Sequence, residues 1–191
     1  MKKKITLLLS LALAVAIGIG GTLAWLTAKT EEVKNTFTVG NINITLTEEA
    51  GGNTKEFKMV PGQTIAKDPK VTVKAGSEAC WLFVKIEKGN DLDKFIDYAV
   101  ADGWTALTGV DGVYYREVAA DATNRSFEVI GYESGNPAEF TANKVLVKDS
   151  VTKDDMDGLT ADNYPTLTFT AYAIQRASFD DPAAAWTEAS K

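Results

Sequence analysis

Short stretches in which apolar and polar residues alternate recur along this chain, and they constrain its fold more than any other feature. The stretch CWLFVKIE places Cys80, Leu82, Val84 and Ile86 on one face of a strand. Its other face also carries large residues, which is typical of a strand buried on one side and partly covered on the other. Similar β-rich patterns occur in FTVGNINITLTE, KEFKMV, KVTVKA, GVYYREV, SFEVIGY, KVLVKD and TLTFTAYAIQ.

Helical spacing occurs in two segments. NDLDKFIDYAV has apolar residues at helical intervals over residues 92–99, and FDDPAAAWTEASK has Asp181 as N-cap with Pro182 at the first helical position. The turn PGQ and the loops GNPAEFTANK and DSVTKDDMDGLTADNYP separate the strands. Many short strands joined by turns predict an all-β sandwich or barrel with one or two short helices.

The first 24 residues have the three-part pattern of a secretory signal peptide. A basic start, Lys2 to Lys4, precedes an apolar run over residues 5–21, and Thr22 and Ala24 supply the small residues that a signal peptidase reads. Cleavage after Ala24 is preferred, and cleavage after Ala28 also fits. The alternative is a retained membrane anchor. We therefore divide the chain into a helical signal peptide (1–24), an exposed N-terminal segment (25–35) and a single β domain (36–191).

The charge and the missing residue types exclude several function classes. The chain has 20 Lys and Arg against 26 Asp and Glu, a formal charge of −6, and loss of three lysines with the signal brings it near −9. Such a protein is poorly suited to nucleic acid. The absence of histidine excludes Ser-His-Asp, Cys-His and histidine-based zinc sites. Cys80 is the sole cysteine, so no internal disulfide forms, and a buried inert thiol is favoured over a nucleophile.

Two further patterns are candidate binding sites. Asp155 and Asp157 before Gly158 resemble the middle of a calcium loop, but Lys153 and Tyr164 occupy two ligand positions of the EF-hand frame, so a solvated acidic turn is the alternative. The scattered tryptophans could form a carbohydrate platform, although core packing is the favoured use. Carboxylate pairs for glycoside hydrolysis have no recognisable frame here. We predict no enzymatic activity and no cofactor.

The stretch GTLAWLTAKTEEVKNTFTVGNINITLTE resembles the N-terminal region of the TasA and camelysin family. These are exported proteins of Gram-positive bacteria that a dedicated signal peptidase of the SipW type processes. The matching pattern is the small-residue exit, the aromatic Trp25, a charged spacer, and Asn35-x-Phe37-x-x-Gly40 leading into an alternating strand. MVPGQTIAKDPKVTV and TAYAIQRASFDDPAAAW are also similar to family sequences, whereas residues from about 90 to 162 match nothing familiar.

The resemblance implies a jelly-roll-like antiparallel β-sandwich and a role in the fibres of a biofilm matrix. In such fibres the N-terminal segment of one subunit completes the sheet of the next. The implied partners are copies of the chain or related matrix proteins and the SipW-type peptidase, with membrane contact only through the uncleaved signal. Camelysin-like members are also described as proteases, an activity that the missing histidines put in doubt here.

An N-terminal assembly segment follows from this reading. An open sheet edge accepts an incoming strand, and a head-to-tail contact of this kind grows filaments. Thr36 to Leu46 could instead be simply the first strand of a monomer. The alternative functions are a monomeric secreted or surface module that binds a polysaccharide or a protein, and, less favoured, a hydrolase. The assembly residues are Trp25, Leu26, Thr27, Phe37, Val39, Gly40, Ile42, Ile44 and Leu46.

Overall fold

Alternating apolar and polar residues form the strands of an antiparallel β-sandwich. The computed structural model describes residues 40–48, 57–135 and 139–191, and Val39–Lys191 forms one compact unit. The strands in the described residues are β1 (Ile44–Glu48), β2 (Thr64–Ala66), β3 (Pro69–Val73), β4 (Cys80–Gly89), β5 (Ile96–Asp97), β6 (Ala99–Val100), β7 (Thr105–Ala106), β8 (Val113–Val118), β9 (Arg125–Glu128), β10 (Ile130–Ser134), β11 (Glu139–Ala142), β12 (Lys144–Val147) and β13 (Thr166–Gln175).

The strands form four antiparallel sheets. Their orders are β1-β3-β9, β11-β10-β6, β2-β12-β5 and β13-β4-β8-β7. The longest ladder joins β13 to β4 and runs from the pair Thr166 and Gly89 to the pair Gln175 and Cys80. The all-β sandwich predicted from the sequence is confirmed. The signal helix predicted over residues 1–24 lies outside the described residues.

One face of β4 forms the centre of the main core. Cys80, Leu82 and Val84 are fully buried there with Val71 of β3. The inward residues of β13, from Leu167 to Ala173 at every second position, pack against the same core. This arrangement confirms the faces that the period-two pattern predicted for both strands.

The other face of β4 is covered by a C-terminal helix. Three helices occur in the described residues, α1 (Leu92–Phe95), α2 (Lys153–Asp157) and α3 (Pro182–Ala189), with a 3-10 turn at Arg176–Ser178. Asp181 caps α3 by accepting from the backbone N–H groups of residues 183 and 184, as predicted. Trp186 of α3 then packs 5.4 Å from the Phe83 ring and 5.0 Å from the Tyr172 ring. The helix therefore buries the large residues that β4 carries on its outer face.

The helix predicted over residues 92–99 is wrong beyond Phe95. Ile96–Asp97 pairs with β12 and Ala99–Val100 pairs with β10. Asp91, the residue before the helix, has φ 53° and makes no side-chain cap hydrogen bond. The helix therefore lacks the stabilisation that an N-cap would give it. Tertiary strand pairing overrides the helical spacing here.

Three other local predictions also need correction. GNPAEFTANK was predicted as a loop, but it contains β11 (Glu139–Ala142), which forms because it pairs with β10. Phe57–Val60, the described part of the predicted strand KEFKMV, is not in a strand. α2 lies in a segment that was predicted as a loop, and it is held by a capping box in which Thr152 and Asp155 bond each other's backbone N–H groups. The PGQ turn is confirmed, because Gln63 N–H donates to the Val60 carbonyl at 3.0 Å and Gly62 has φ 73°.

The buried thiol provides a test of this core. Burial of Cys80 raises its pKa to about 11, so a thiol reagent should label it only after denaturation. Cys80→Ser should lower the free energy of unfolding by about 1–3 kcal/mol, because a buried hydroxyl would lack a partner. Rapid labelling of the folded protein, compared with the denatured protein as a control, would contradict the assigned strand faces.

Candidate functional site

Strands β1 and β13 are edge strands of two different sheets and lie beside the same groove. Among the described residues, β1 pairs with β3 alone and β13 pairs with β4 alone. A cavity of about 280 Å³ lies between them and is lined on one side by Leu46 and Glu48 and on the other by Leu167 and Phe169. The two edges and this groove form the candidate site, which we call the edge groove.

The ladder between β13 and β4 determines which backbone groups of β13 point away from β4. Arg176 N–H donates to the Ala79 carbonyl at 2.8 Å, and hydrogen-bonded residues alternate along an antiparallel ladder. The even-numbered residues of β13 therefore bond β4. The outward N–H and C=O groups belong to Leu167, Phe169, Ala171, Ala173 and Gln175.

The same alternation applies to β1. Lys74 N–H donates to the Asn43 carbonyl at 2.8 Å, so the backbone groups of Ile44, Leu46 and Glu48 point away from β3. The side chains of Ile44 and Leu46 pack against the main core. In both edge strands, the residues with outward backbone groups thus also carry inward side chains.

A buried ion pair lies in the wall of the edge groove. Lys67 Nζ is 2.6 Å from Glu48 Oε2, and the two side chains are 16% and 10% exposed. The Lys67 ammonium also lies 5.4 Å from the centroid of the Phe169 ring and 5.7 Å from that of Phe57. Glu48 Oε1 is buried and has no hydrogen-bond partner among the described residues. The groove therefore combines apolar side chains with polar ones, among them one desolvated carboxylate oxygen.

Some of the predicted assembly residues lie among the described residues, and the others do not. Trp25, Leu26, Thr27, Phe37 and Val39 lie outside the described residues, as do the cleavage residues Thr22 and Ala24.

The other assembly residues lie in or just before β1. Ile42, Ile44 and Leu46 pack against the main core. The predicted strand starts at Phe37, whereas β1 begins at Ile44 and residues 40–43 are in no strand. Gly40 lies close to Glu78, since a Cβ on Gly40 would be 3.2 Å from Glu78 Cγ.

Asp155 and Asp157 have protein partners in α2. Asp155 accepts from both the N–H and the hydroxyl of Thr152 and lies 2.6 Å from Lys94 Nζ, while Asp157 pairs with Lys153. The hydrogen bond from Lys94, followed by those from Thr152, holds the Asp155 pKa well below its usual range. In the described part of the chain, no three acidic or cysteine side chains are grouped so that they could hold a metal ion. A cation at Asp155 would have to compete with Lys94.

The tryptophans in the described chain serve packing. Trp81 Nε1 donates to the Phe179 carbonyl at 3.1 Å, Trp104 Nε1 donates to the Glu128 carbonyl at 2.7 Å, and Trp186 covers the outer face of β4. Trp81 is buried, Trp104 and Trp186 are half-buried, and the three do not form a row of exposed rings.

Two features of the edge groove were not predicted. The same period of two that places Ile44 and Leu46 inward also places Glu48 inward, so the pattern held a signal for a buried acid. Lys67 lies between β2 and β3, and nothing in its local sequence predicts a contact with β1.

Comparisons with family models, curated proteins and solved structures find no match to this chain. Among the residues that the structure describes, no helix is long and apolar enough to cross a membrane.

The ion pair generates a test of the groove. Lys67→Met should destabilise the fold by about 3–5 kcal/mol, because it leaves the Glu48 carboxylate buried without a counter-charge. The double variant Lys67→Met with Glu48→Leu should recover most of that loss. Chemical denaturation of the wild type, both single variants and the double variant provides the measurement. Additive losses in the double variant would contradict a buried, coupled pair.

Proposed function

We propose that the chain is an exported structural protein that assembles into extracellular biofilm matrix fibres by strand donation between subunits. The observation that carries the proposal is the outward edge of β13, which has no strand beside it in the described chain. Export, cleavage by a SipW-type peptidase and a location in the matrix or at the cell surface rest on the signal-like N-terminus and the family resemblance.

The chemistry of the edge groove suits an incoming strand. A strand added to β13 would form hydrogen bonds with the outward N–H and C=O groups of the odd-numbered β13 residues. Each backbone hydrogen bond contributes about 0.5–1.5 kcal/mol net. Its alternate side chains would enter the groove and contact Leu46 and Phe169, where burial of apolar surface contributes about 25 cal/mol per Å². Backbone pairing would supply affinity, and the groove would select the side chains.

Head-to-tail donation would produce an open filament and not a closed oligomer. The proposed donor is the N-terminal segment 25–35 of a neighbouring copy, freed when the signal is removed. Because donor and acceptor are different parts of the same chain, each added subunit leaves one new acceptor free, and the assembly does not close on itself.

Two truncations separate the donor role from the folding role. Deletion of Trp25–Glu32 should leave the fold intact and abolish filaments, because the neighbour's groove stays empty. Deletion of residues 25–46 should unfold the protein. It removes three of the five residues of β1 and the core contacts of Ile42, Ile44 and Leu46, each worth at most about 1.5–3 kcal/mol, against a typical domain stability of about 5–15 kcal/mol. Circular dichroism, size-exclusion chromatography and electron microscopy give the readouts. Normal filaments from the shorter deletion would refute donation by this segment.

A pair of proline variants tests the acceptor edge. Ala171→Pro removes an N–H that points away from β4, so the monomer should keep its fold while filament growth stops. Thr170→Pro, the matched control, removes an N–H that bonds β4 and should destabilise the monomer itself. Filaments from a folded Ala171→Pro protein would show that β13 is not the acceptor.

A further inference from the structure

A second cavity shares no lining residue with the edge groove and has an arginine in its wall. Its volume is about 550 Å³, and Lys70, Asp102, Arg116, Ser126 and Glu128 supply its polar lining. We call it the Arg116 cavity. A volume of this size is in the range of sites that bind small organic ligands.

Arg116 reaches the cavity from β8 and is held between two aromatic rings. It lies opposite Leu82 in the ladder with β4, so its side chain projects from the inward face of the sheet. The guanidinium carbon is 3.9 Å from the centroid of the Phe127 ring and 5.3 Å from that of Trp104. Gly103, at φ 82°, makes room for it, because a Cβ there would lie 2.8 Å from Arg116 Nη2.

This guanidinium has no counter-ion within the described chain. No carboxylate there lies within 4.0 Å of Arg116, and its Nε is buried without a partner. Burial, with Arg125 nearby, lowers the pKa of Arg116. Arg176 shows the contrast. It too stacks on a ring, 4.5 Å from the centroid of Trp81, and its Nε also lacks a hydrogen bond among the described residues, but the Glu117 carboxylate lies 3.1 Å from that nitrogen as a counter-ion.

The acidic residues that line the Arg116 cavity are not counter-ions of Arg116. Glu128 Oε1 accepts from Asn143 Nδ2 at 2.9 Å, and Asp102 remains beyond ion-pair distance of Arg116. An anion in the cavity would therefore supply the missing partner, and a planar carboxylate matches the fork of a guanidinium.

The lining charges favour one negative charge on the ligand. Lys70 and Arg116 are balanced by Asp102 and Glu128, so a dianion or a polyanion would meet two carboxylates at close range. Those two carboxylates, with the Ser126 hydroxyl, are suited to bind hydroxyl groups of a ligand. We propose that the Arg116 cavity binds a hydroxylated monocarboxylate of the sugar-acid type, with Arg116 as the bidentate partner of its carboxylate.

Isothermal titration calorimetry of the exported protein tests this site. D-galacturonate should bind with saturation, whereas neutral D-galactose and inorganic phosphate should not. Arg116→Gln should weaken galacturonate binding about 10- to 100-fold, the scale of hydrogen bonds between charged groups. Arg125→Gln is the matched control, because Arg125 lies near the same Phe127 ring without lining the cavity, and it should bind galacturonate as the wild type does.

Two substitute variants and a longer ligand complete the experiment. If Arg116→Gln does not fold by circular dichroism, Lys70→Gln and Ser126→Ala replace it, and each should weaken binding. A galacturonate trimer that binds more tightly than the monomer identifies a polysaccharide source, and equal affinity identifies a free sugar acid. No saturable heat with galacturonate, equal binding of galactose or phosphate, or wild-type affinity in the folded Arg116→Gln protein would overturn the proposal.

Discussion

Strand β4 is buried on both of its faces, and the rest of the molecule is arranged around this requirement. Leu82 and Val84 face the sandwich core, while Trp81 and Phe83 face the cover that α3 provides. A strand with apolar residues on both faces has to lie inside a sheet, between neighbours that satisfy its backbone groups. β8 and β13 are those neighbours.

The position of β4 inside its sheet leaves β13 at an edge of that sheet. β13 is the last strand of its sheet in the described chain, and Leu167 and Phe169, whose backbone groups point away from β4, line the edge groove. Nearby, the ion pair of Lys67 and Glu48 places charge in a groove wall that is part polar and part apolar. Charged residues at sheet edges are one means by which proteins limit unspecific pairing. In the proposed function, this ion pair would disfavour unspecific strands and still allow the donor strand to bind in the groove.

Local patterns predicted the features that depend on local periodicity. The faces of β4 and β13, the cap of α3 at Asp181 and the PGQ turn all follow from residues a few positions apart. The helix beyond Phe95 was wrong because Ile96 contributes more as a partner of β12, a contact made across about fifty residues of chain.

The two sites depend on distant contacts, which limits their prediction. Glu48 was detectable from its inward position, but its pairing with Lys67 requires the placement of β1 next to the segment before β3. Arg116 lies in a stretch that the sequence marks only as β-rich, and its ladder with β4 reveals that it shares the face of Leu82. Side-chain periodicity assigns relative faces, whereas the sheet partner decides which face is inside.

Amide hydrogen exchange, measured residue by residue before and after assembly, tests the central claim most directly. The claim is that β13 is an open edge that a neighbouring strand fills. In the monomer, the amides of Leu167, Phe169, Ala171 and Ala173 should exchange quickly, while the alternate amides that bond β4 stay protected. In filaments the four amides should become protected as well. Protection of these amides already in the monomer, or rapid exchange in filaments, would contradict the account.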